Sequence, residues 1–280
     1  MVRALAAQLS PVLGDTAGNR ARSVDALAVA AERGARLVVL PELCTSGYAF
    51  ADAAEARAAA EPVDGPSVRA WHEAAREHGL VVVAGLCELD ADGALRNSAV
   101  VVDPTGVLAV YRKTHLWDRE PEIFVPGELA PPVVDTVAGR IGLAVCFDTA
   151  FPEHIRRAAL AGAEIVAVPM NSPAPPRPTE PIPIEIAIAM AAANASRVYV
   201  VQADRTGEER GVRWAQASVI VDPDGSVIAG PSQGEALLVA DLDLARARDK
   251  SWGDRNDVFA DRRPELYSLP STTPQEPTPR

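Results

Sequence analysis

Cysteine is scarce in this 280-residue chain, which contains only Cys44, Cys87 and Cys146. An odd and sparse set of cysteines is no disulfide framework, and it favours a reducing compartment. Positive charge is also in deficit, because 27 Lys and Arg residues stand against 38 Asp and Glu residues, for a net charge of −11. This balance argues against nonspecific binding to nucleic acid or to an anionic membrane, and we predict neither as a partner.

Long apolar segments are missing as well. No apolar run approaches the roughly 18 residues that span a bilayer. The N-terminal MVRALAAQLSP lacks the charged start and long apolar stretch of a signal peptide, so we expect a cytoplasmic protein. Apolar residues still make up 48% of the chain, enough for a large core. We expect a single domain over residues 1–267 and a loosely held, Pro-rich tail over residues 268–280.

Strand and helix patterns alternate along the chain, as is typical of α/β folds. Residues 37–40 are wholly apolar and end at Pro41, as a strand buried on both faces does. The predicted helices cover residues 16–32, 67–78, 153–161 and 184–197. The predicted strands cover residues 4–8, 37–40, 80–86, 98–102, 107–111, 141–145, 165–168, 198–201, 217–221 and 236–240.

The two halves of the chain echo each other. GARLVVLPE at residues 34–42 resembles GAEIVAVPM at residues 162–170, and NSAVVVDPTG at 97–106 resembles QASVIVDPDG at 216–225. The D-P-x-G element predicts a tight hairpin turn in each half. Either these segments are common to many α/β proteins, or the chain has two like halves that form two packed sheets.

Three reactive residues stand just after apolar strands: Glu42 after LVVLP, Lys113 after VLAVYR and Cys146 after IGLAV. Ligands of α/β folds bind beyond the carboxyl ends of strands, so these side chains can converge on one pocket. A thiolate is a strong nucleophile, a carboxylate can accept and return protons, and a lysine can stabilise a developing oxyanion. Together they would catalyse acyl transfer through a thioester.

Each of these residues also has a purely structural interpretation. Cys146 could be a small core residue, Glu42 a helix cap or surface charge, and Lys113 a solvated strand end. We assign Cys87 to the core, whereas Cys44 could line the site but has no evident base. The four histidines are scattered without the spacing of metal ligands, so we predict no metal and no cofactor, and a rate that does not depend on metal.

The three segments together resemble the three signatures of the nitrilase, or carbon–nitrogen hydrolase, superfamily. LVVLPELCTSGY resembles the glutamate motif, VYRKTHLWDRE the lysine motif and GLAVCFDTAFPE the cysteine motif. The resemblance extends from the N-terminus to about Tyr267. It implies an α/β fold, a four-layer α-β-β-α sandwich with two packed mixed sheets. It also implies a Glu42-Lys113-Cys146 triad and a homodimer or higher homo-oligomer.

The same resemblance implies supporting residues. In REPEIFVPG, either Glu120 or Glu122 could be the second glutamate that holds Lys113, and the spacing favours Glu120. The backbone N–H of Phe147 would complete an oxyanion hole with Lys113. Asp148 and Glu153 would support the turn that carries the nucleophile.

The predicted reaction is hydrolysis of a small linear amide to a carboxylic acid and ammonia or an amine. The residues Cys146-Phe147-Asp148 resemble the C-[YF]-D of amidases and carbamoylases rather than the C-W-E of nitrilases. A hydrolase of N-carbamoyl amino acids or amines, a nitrilase and a catalytically silent binding protein on the same fold are the alternatives.

Residues 171–183 contain six prolines and read as an extended loop. By the echo between the halves, Asn171 starts beside the same sheet edge as Glu42. We expect this loop to shape the acyl pocket, with Asn171 and Arg177 contacting the substrate and Glu180 as an alternative that favours an amine. A stiff loop at a subunit contact is the competing interpretation.

Overall fold

The computed structural model describes residues 1–174 and 182–267. Its helices are α1 (Thr16–Glu32), α2 (Ala53–Ala59), α3 (Pro66–His78), α4 (Pro152–Leu160), α5 (Ile184–Ser196) and α6 (Leu244–Arg248). Its strands are β1 (Val2–Gln8), β2 (Leu37–Val39), β3 (Val81–Leu89), β4 (Leu95–Asp103), β5 (Gly106–Arg112), β6 (Val133–Thr136), β7 (Gly139–Leu143), β8 (Ile165–Pro169), β9 (Tyr199–Ala203), β10 (Glu208–Glu209), β11 (Val212–Arg213), β12 (Val219–Val221), β13 (Val227–Ala229) and β14 (Ala236–Leu242).

Two six-stranded mixed sheets share one pattern of strand pairing. The first has the order β14-β1-β2-β3-β4-β5 and the second β6-β7-β8-β9-β12-β13. In each sheet the second, third and fourth strands are parallel, and the remaining pairs are antiparallel. The echo between the halves therefore reflects a repeated topology, and the prediction of two packed sheets is confirmed.

The central strands are apolar throughout because both of their faces are buried. In β1, Ala4 and Ala6 face the core between the sheets, whereas Leu5 and Ala7 belong to the outer core under the helices. Leu27 of α1 and Trp71 of α3 pack in that outer core. On the other sheet, α4 and α5 pack against each other and against β7 and β9. The predicted four-layer α-β-β-α sandwich is confirmed.

Two strands end or begin two residues inside their predicted bounds, because aspartates take backbone groups away from the sheet. Strand β7 ends at Leu143 rather than at residue 145, since the Val145 N–H donates to Asp148 at 2.9 Å. Strand β12 begins at Val219 rather than at residue 217, since the Ala217 N–H donates to Asp204 at 2.9 Å. The sequence analysis also missed the strands β6, β10, β11 and β13 and the short helices α2 and α6.

The chain's contacts divide it into two units, residues 1–249 and 250–280. The sandwich described above lies within the first unit. In the second, Ser251 and Asp257 form an isolated bridge, and Pro264–Leu266 forms a 3-10 turn. The domain bounds of 1–267 stay a prediction, and the predicted tail over residues 268–280 lies outside the described residues. Among the described helices, none is long and apolar enough to cross a membrane.

A glycine allows β3 to pass very close to the turn that carries Glu42. A Cβ atom on Gly85 would lie 2.4 Å from the Cα atom of Glu42 and 2.5 Å from the backbone nitrogen of Leu43. The Gly85 N–H donates to the Pro41 carbonyl at 3.1 Å, and the Cys44 N–H donates to the Gly85 carbonyl at 3.2 Å. The position of Glu42 therefore depends on the absence of a side chain at Gly85.

We expect Gly85→Ala to lower the free energy of unfolding by about 1–3 kcal/mol, the usual cost of forcing atoms into a packed core. It should also reduce activity strongly, because the clash displaces the backbone of Glu42. Gly93→Ala is the control, since a Cβ there meets nothing within 4 Å. Its positive φ should cost about 1 kcal/mol without changing the rate. Urea unfolding and initial rates measure both effects, and full activity in folded Gly85→Ala would contradict this account.

Candidate active site

Glu42 and Asn171 meet where the equivalent strands of the two sheets end. Glu42 follows β2, in a turn where Leu43 has a φ of 46°, and Asn171 follows β8. The Asn171 side-chain amide donates to the Glu42 carbonyl at 2.8 Å, and the Glu42 N–H lies 3.4 Å from the Met170 carbonyl. The expectation that Asn171 starts beside Glu42 is therefore confirmed. Arg177 and Glu180 lie outside the described residues.

Lys113 is buried between two carboxylates. Its Nζ atom lies 2.8 Å from Oε1 of Glu42 and 2.8 Å from Oε1 of Glu120. The side chains of Lys113 and Glu42 are fully buried, and that of Glu120 is 4% exposed. Glu122, the other candidate, instead pairs with Arg119 at the surface, at 3.0 Å. Of the two candidates for the second glutamate, Glu120 is therefore the one that contacts Lys113, as its spacing predicted.

Asn97 and Tyr48 complete this buried cluster, and sequence reasoning missed both. The Asn97 amide donates to Oε1 of Glu42 at 2.6 Å and to Oε1 of Glu120 at 3.1 Å. The Tyr48 hydroxyl donates to Oε1 of Glu120 at 2.9 Å. The sequence offered one signal for Asn97, which is a polar residue within the mostly apolar, buried strand β4. Tyr48 lies inside the quoted glutamate motif.

The hydrogen bonds of Glu42 leave one carboxylate oxygen available. Lys113 and Asn97 both donate to Oε1, whereas the buried Oε2 atom has no hydrogen-bond partner among the described residues. A buried carboxylate oxygen without a donor is costly, and it is a strong proton acceptor. The cluster thus holds Glu42 by one oxygen and leaves the other free for chemistry.

Burial and the charges of the cluster together set its protonation. Burial raises the pKa of Glu42 to about 7, with Lys113 opposing the shift and Glu120 adding to it. Burial alone would lower the pKa of Lys113, but Glu42 and Glu120 more than offset it, so the pKa of Lys113 is raised. Lys113 therefore stays an ammonium, while Glu42 can exchange a proton near neutral pH.

Cys146 occupies the turn after β7, in a strained backbone conformation with a φ of 45°. The residue as a whole is partly exposed, and its Sγ atom lies 3.7 Å from the Asn171 carbonyl oxygen. Burial of the sulfur and the charge of Glu42 raise the pKa of the Cys146 thiol well above its ordinary value. The resting sulfur is therefore a thiol that needs a base.

Asp148 joins the cysteine turn to the lysine segment. Besides the Val145 N–H, its carboxylate accepts from the Tyr111 hydroxyl at 2.8 Å and from the His115 N–H at 3.1 Å. It also contacts Nδ1 of His115 at 2.7 Å. The predicted support of the nucleophile turn by Asp148 agrees with these contacts. Glu153 is exposed in the first turn of α4, where a carboxylate favours the helix N-terminus.

His115, Asp148 and His154 bring potential ligand atoms within 4.8 Å of one another, which the scattered positions of the histidines did not suggest. Two of these potential ligand atoms already have hydrogen-bond partners. Nδ1 of His115 contacts Asp148, and Nε2 of His154 lies 3.2 Å from the Leu143 carbonyl oxygen. A metal ion would have to break these bonds, which fix the nucleophile turn. The group is best explained as structural support.

The other cysteines are buried in the core. Cys87 lies inside β3, with its sulfur 3.6 Å from the Ala56 carbonyl oxygen, and burial raises its pKa to about 12. Cys44 packs in the outer core below the helices rather than lining the site, and burial raises its pKa too. Cys146 is therefore the accessible thiol of the three.

Phe147, the predicted oxyanion-hole residue, follows Cys146 in the same turn and contacts Phe151 edge to face.

A cavity of about 320 Å³ adjoins the buried cluster. Tyr48 and Glu120 form part of its wall, and both also belong to the cluster around Lys113. Pro173 lines it as well, from the described start of the predicted loop. A substrate in this cavity would therefore lie beside the charged groups.

Known proteins are similar to this chain both in sequence and in fold. A family model described as carbon-nitrogen hydrolase matches residues 3–250. The chain is 39% identical over 271 residues to a nitrilase of Pyrococcus abyssi, covering 95% of this chain and 99% of that one. It is 34% identical to an (R)-stereoselective amidase of Pseudomonas sp., covering 91% and 89% of the two chains.

Among solved structures, a mutant amidase from Nesterenkonia sp. AN1 superimposes with a TM-score of 0.78. It is 28% identical in sequence, and the match covers 95% of this chain and 98% of that one. That structure shows the result of Michael addition of acrylamide at its active-site cysteine. The expected class, a hydrolase of carbon–nitrogen bonds, is confirmed. The chain belongs to the carbon–nitrogen hydrolase family.

Proposed function

We propose that this enzyme hydrolyses the C–N bond of a small linear amide through a thioester on Cys146. The observation that carries the proposal is the free Oε2 atom of Glu42, on a carboxylate that contacts a buried ammonium and whose charge raises the pKa of the Cys146 thiol. Such a thiol needs a base during attack, and a carboxylate with a pKa of about 7 suits that task.

The reaction begins when the Cys146 sulfur attacks the amide carbonyl carbon and its proton passes to Glu42. Negative charge develops on the carbonyl oxygen. Lys113 donates two of its three N–H groups to Glu42 and Glu120, and its third N–H, with the backbone N–H of Phe147, stabilises the oxyanion. The C–N bond then breaks, and the leaving nitrogen takes the proton from Glu42 and departs as ammonia or an amine.

Water completes the cycle. Glu42 accepts a proton from a water molecule, whose oxygen attacks the thioester carbonyl carbon. The C–S bond breaks, the sulfur takes the proton back from Glu42, and the carboxylic acid leaves. Amide and water are thus converted to acid and ammonia, with each catalytic group returned to its starting state. Lys113 supplies the positive charge that a metal would provide in other hydrolases.

The residues after the nucleophile support an amide over a nitrile substrate. Cys146-Phe147-Asp148 resembles amidases and carbamoylases, and Asp148 anchors the turn through five contacts that fix its conformation. The nitrilase name of the Pyrococcus relative makes nitriles the competing substrates to test. N-carbamoyl compounds are the third class, because they present the same carbonyl and amine.

Two further expectations stay proposals. Resemblance to the family supports a homodimer or larger homo-oligomer. The three free cysteines, of which Cys146 must remain reduced to react, support a reducing and therefore cytoplasmic location.

The substrate class is tested by ammonia release from simple amides, N-carbamoyl amino acids and the nitriles that correspond to the amides. We expect the amides to turn over fastest. Cys146→Ala should abolish turnover, because no other accessible thiol lies in the cluster of described residues. Mass spectrometry of the wild-type enzyme quenched during turnover should find an acyl adduct on the Cys146 peptide.

Cys87→Ala is the matched control and should keep most of the activity, since Cys87 is a core residue. Activity that survives Cys146→Ala would contradict the mechanism. Faster turnover of nitriles than of their amides would overturn the substrate class while leaving the nucleophile intact.

The pH dependence tests the base. Glu42 accepts protons only when ionised, so alkylation of Cys146 by iodoacetamide should be fast above about pH 7 and fall by about tenfold per pH unit below it. Glu42→Gln should remove this inflection, whereas Glu122→Gln, at the exposed neighbour, should keep it. An inflection that persists in Glu42→Gln would show that another group takes the proton.

A further inference from the structure

We propose that the preferred substrates are uncharged amides whose acyl group carries an aromatic ring on a short chain, as in 3-phenylpropionamide. This inference rests on the proposed function and names the substrate class of the same site. It assigns the cavity beside Tyr48 and Glu120 as the acyl pocket.

The size of the cavity exceeds the needs of the simplest amides. An apolar cavity of about 150 Å³ already holds benzene in an engineered protein. The cavity here, at about 320 Å³, has room for a ring and a short spacer. Acetamide or propionamide would leave most of it filled with water, so these substrates would gain little from its walls.

The walls are unusually aromatic for this chain. The whole sequence has four Trp, four Tyr and five Phe residues. Five of these side chains line this cavity: Tyr48, Phe50, Trp117, Phe124 and Trp214. Aromatic rings prefer edge-to-face or offset contacts with other rings, and each such contact adds to the gain from buried area.

The aromatic walls are already arranged as edge-to-face pairs. Tyr48 and Trp214 lie 5.7 Å apart with an interplanar angle of 85°, and Phe50 and Phe124 lie 6.4 Å apart at 69°. The guanidinium of Arg205 covers Trp214 at 4.4 Å from the ring centre, and Arg205 is itself fully buried. These contacts fix the rings before substrate binds, so binding costs little further side-chain entropy.

The charges around the cavity cancel. Among the described residues, its wall contains Asp118, Arg119, Glu120 and Arg210, two of each sign. Glu120 is paired with Lys113, Arg119 with Glu122, and Arg210 with Glu55. Because both arginines already have carboxylate partners, an acidic acyl group would have to displace one of them. Asp118 is exposed, so water screens its attraction for a basic acyl group. A neutral acyl group is therefore favoured over an acidic or a basic one.

The polar end of the cavity fixes the direction of binding. Tyr48 donates to Glu120, and Glu120 contacts Lys113, so this end adjoins the group that would stabilise the oxyanion. The amide belongs at this end, and the ring belongs among the aromatic side chains beyond it. A filled pocket would then hold the carbonyl beside Glu120 and the Lys113 ammonium that it contacts.

The test is a substrate series with the wild-type enzyme. We expect kcat/KM for 3-phenylpropionamide to exceed that for propionamide by at least about tenfold, since one methylene group in an apolar pocket already gives about that discrimination. Succinamate and 6-aminohexanamide, which carry an acid and an amine, should react no faster than propionamide. A wild-type enzyme that prefers propionamide or a charged amide would overturn the inference.

A pocket-filling variant adds a second test. Val212 lines the cavity, and Val212→Phe should lower kcat/KM for 3-phenylpropionamide at least about tenfold while changing that for propionamide less than about threefold. Val227 is also a half-buried residue of a short strand but lies outside the cavity wall, so Val227→Phe should change neither value.

The outcomes separate this inference from the proposed function. If no amide is hydrolysed and no adduct forms on Cys146, the proposed function fails. If small amides are hydrolysed without an aromatic preference, or if folded Val212→Phe slows both substrates equally, only the acyl pocket assigned here is wrong. The wild-type series decides the question even if Val212→Phe does not fold.

Discussion

A single buried ammonium determines the arrangement of this site. Lys113 lies between Glu42 and Glu120 at 2.8 Å from each, in surroundings that exclude water. An ion buried without partners would be very costly, so these three residues must be positioned together or not at all. The pairing fixes one oxygen of Glu42 and leaves the other free. It also keeps Lys113 protonated while the pKa of Glu42 reaches about 7.

The repeated topology explains why these groups meet. Strands β2 and β8 hold equivalent places in the two sheets, and the residues that follow them touch across the interface between the sheets. The two ends carry different chemistry: one presents the carboxylate of Glu42, and the other presents Asn171, whose carbonyl oxygen contacts the sulfur of Cys146. Gly85 permits the close approach of β3 on which the position of Glu42 depends.

Much of this arrangement could be predicted from the sequence, because the central groups follow apolar strands. Glu42, Lys113 and Cys146 each stand at such an end, and the ordered motifs that contain them identified the family and the sandwich. The partners that complete the cluster could not be predicted in the same way. Tyr48 meets Glu120 across 72 positions and Asn97 meets Glu42 across 55, and no local pattern encodes such contacts.

The end of β7 and the start of β12 were predicted wrongly for a related reason. Asp148 and Asp204 bind backbone N–H groups that the apolar pattern assigned to β7 and β12, so side-chain contacts override the pattern there. The histidines were considered scattered because only the fold brings His115 beside Asp148 and His154. The concentration of aromatic side chains in one cavity is likewise a property of the fold, since its members come from four separate segments of the chain.

The central claim is that burial and the charges around Lys113 together set the proton affinity of Glu42. Glu120 raises the pKa of Glu42, so removing its charge should lower that pKa. The most direct measurement is the pH dependence of Cys146 alkylation in folded Glu120→Gln compared with the wild-type enzyme. The account predicts that the inflection moves to lower pH in the variant. An inflection that stays in place, or moves to higher pH, would contradict it.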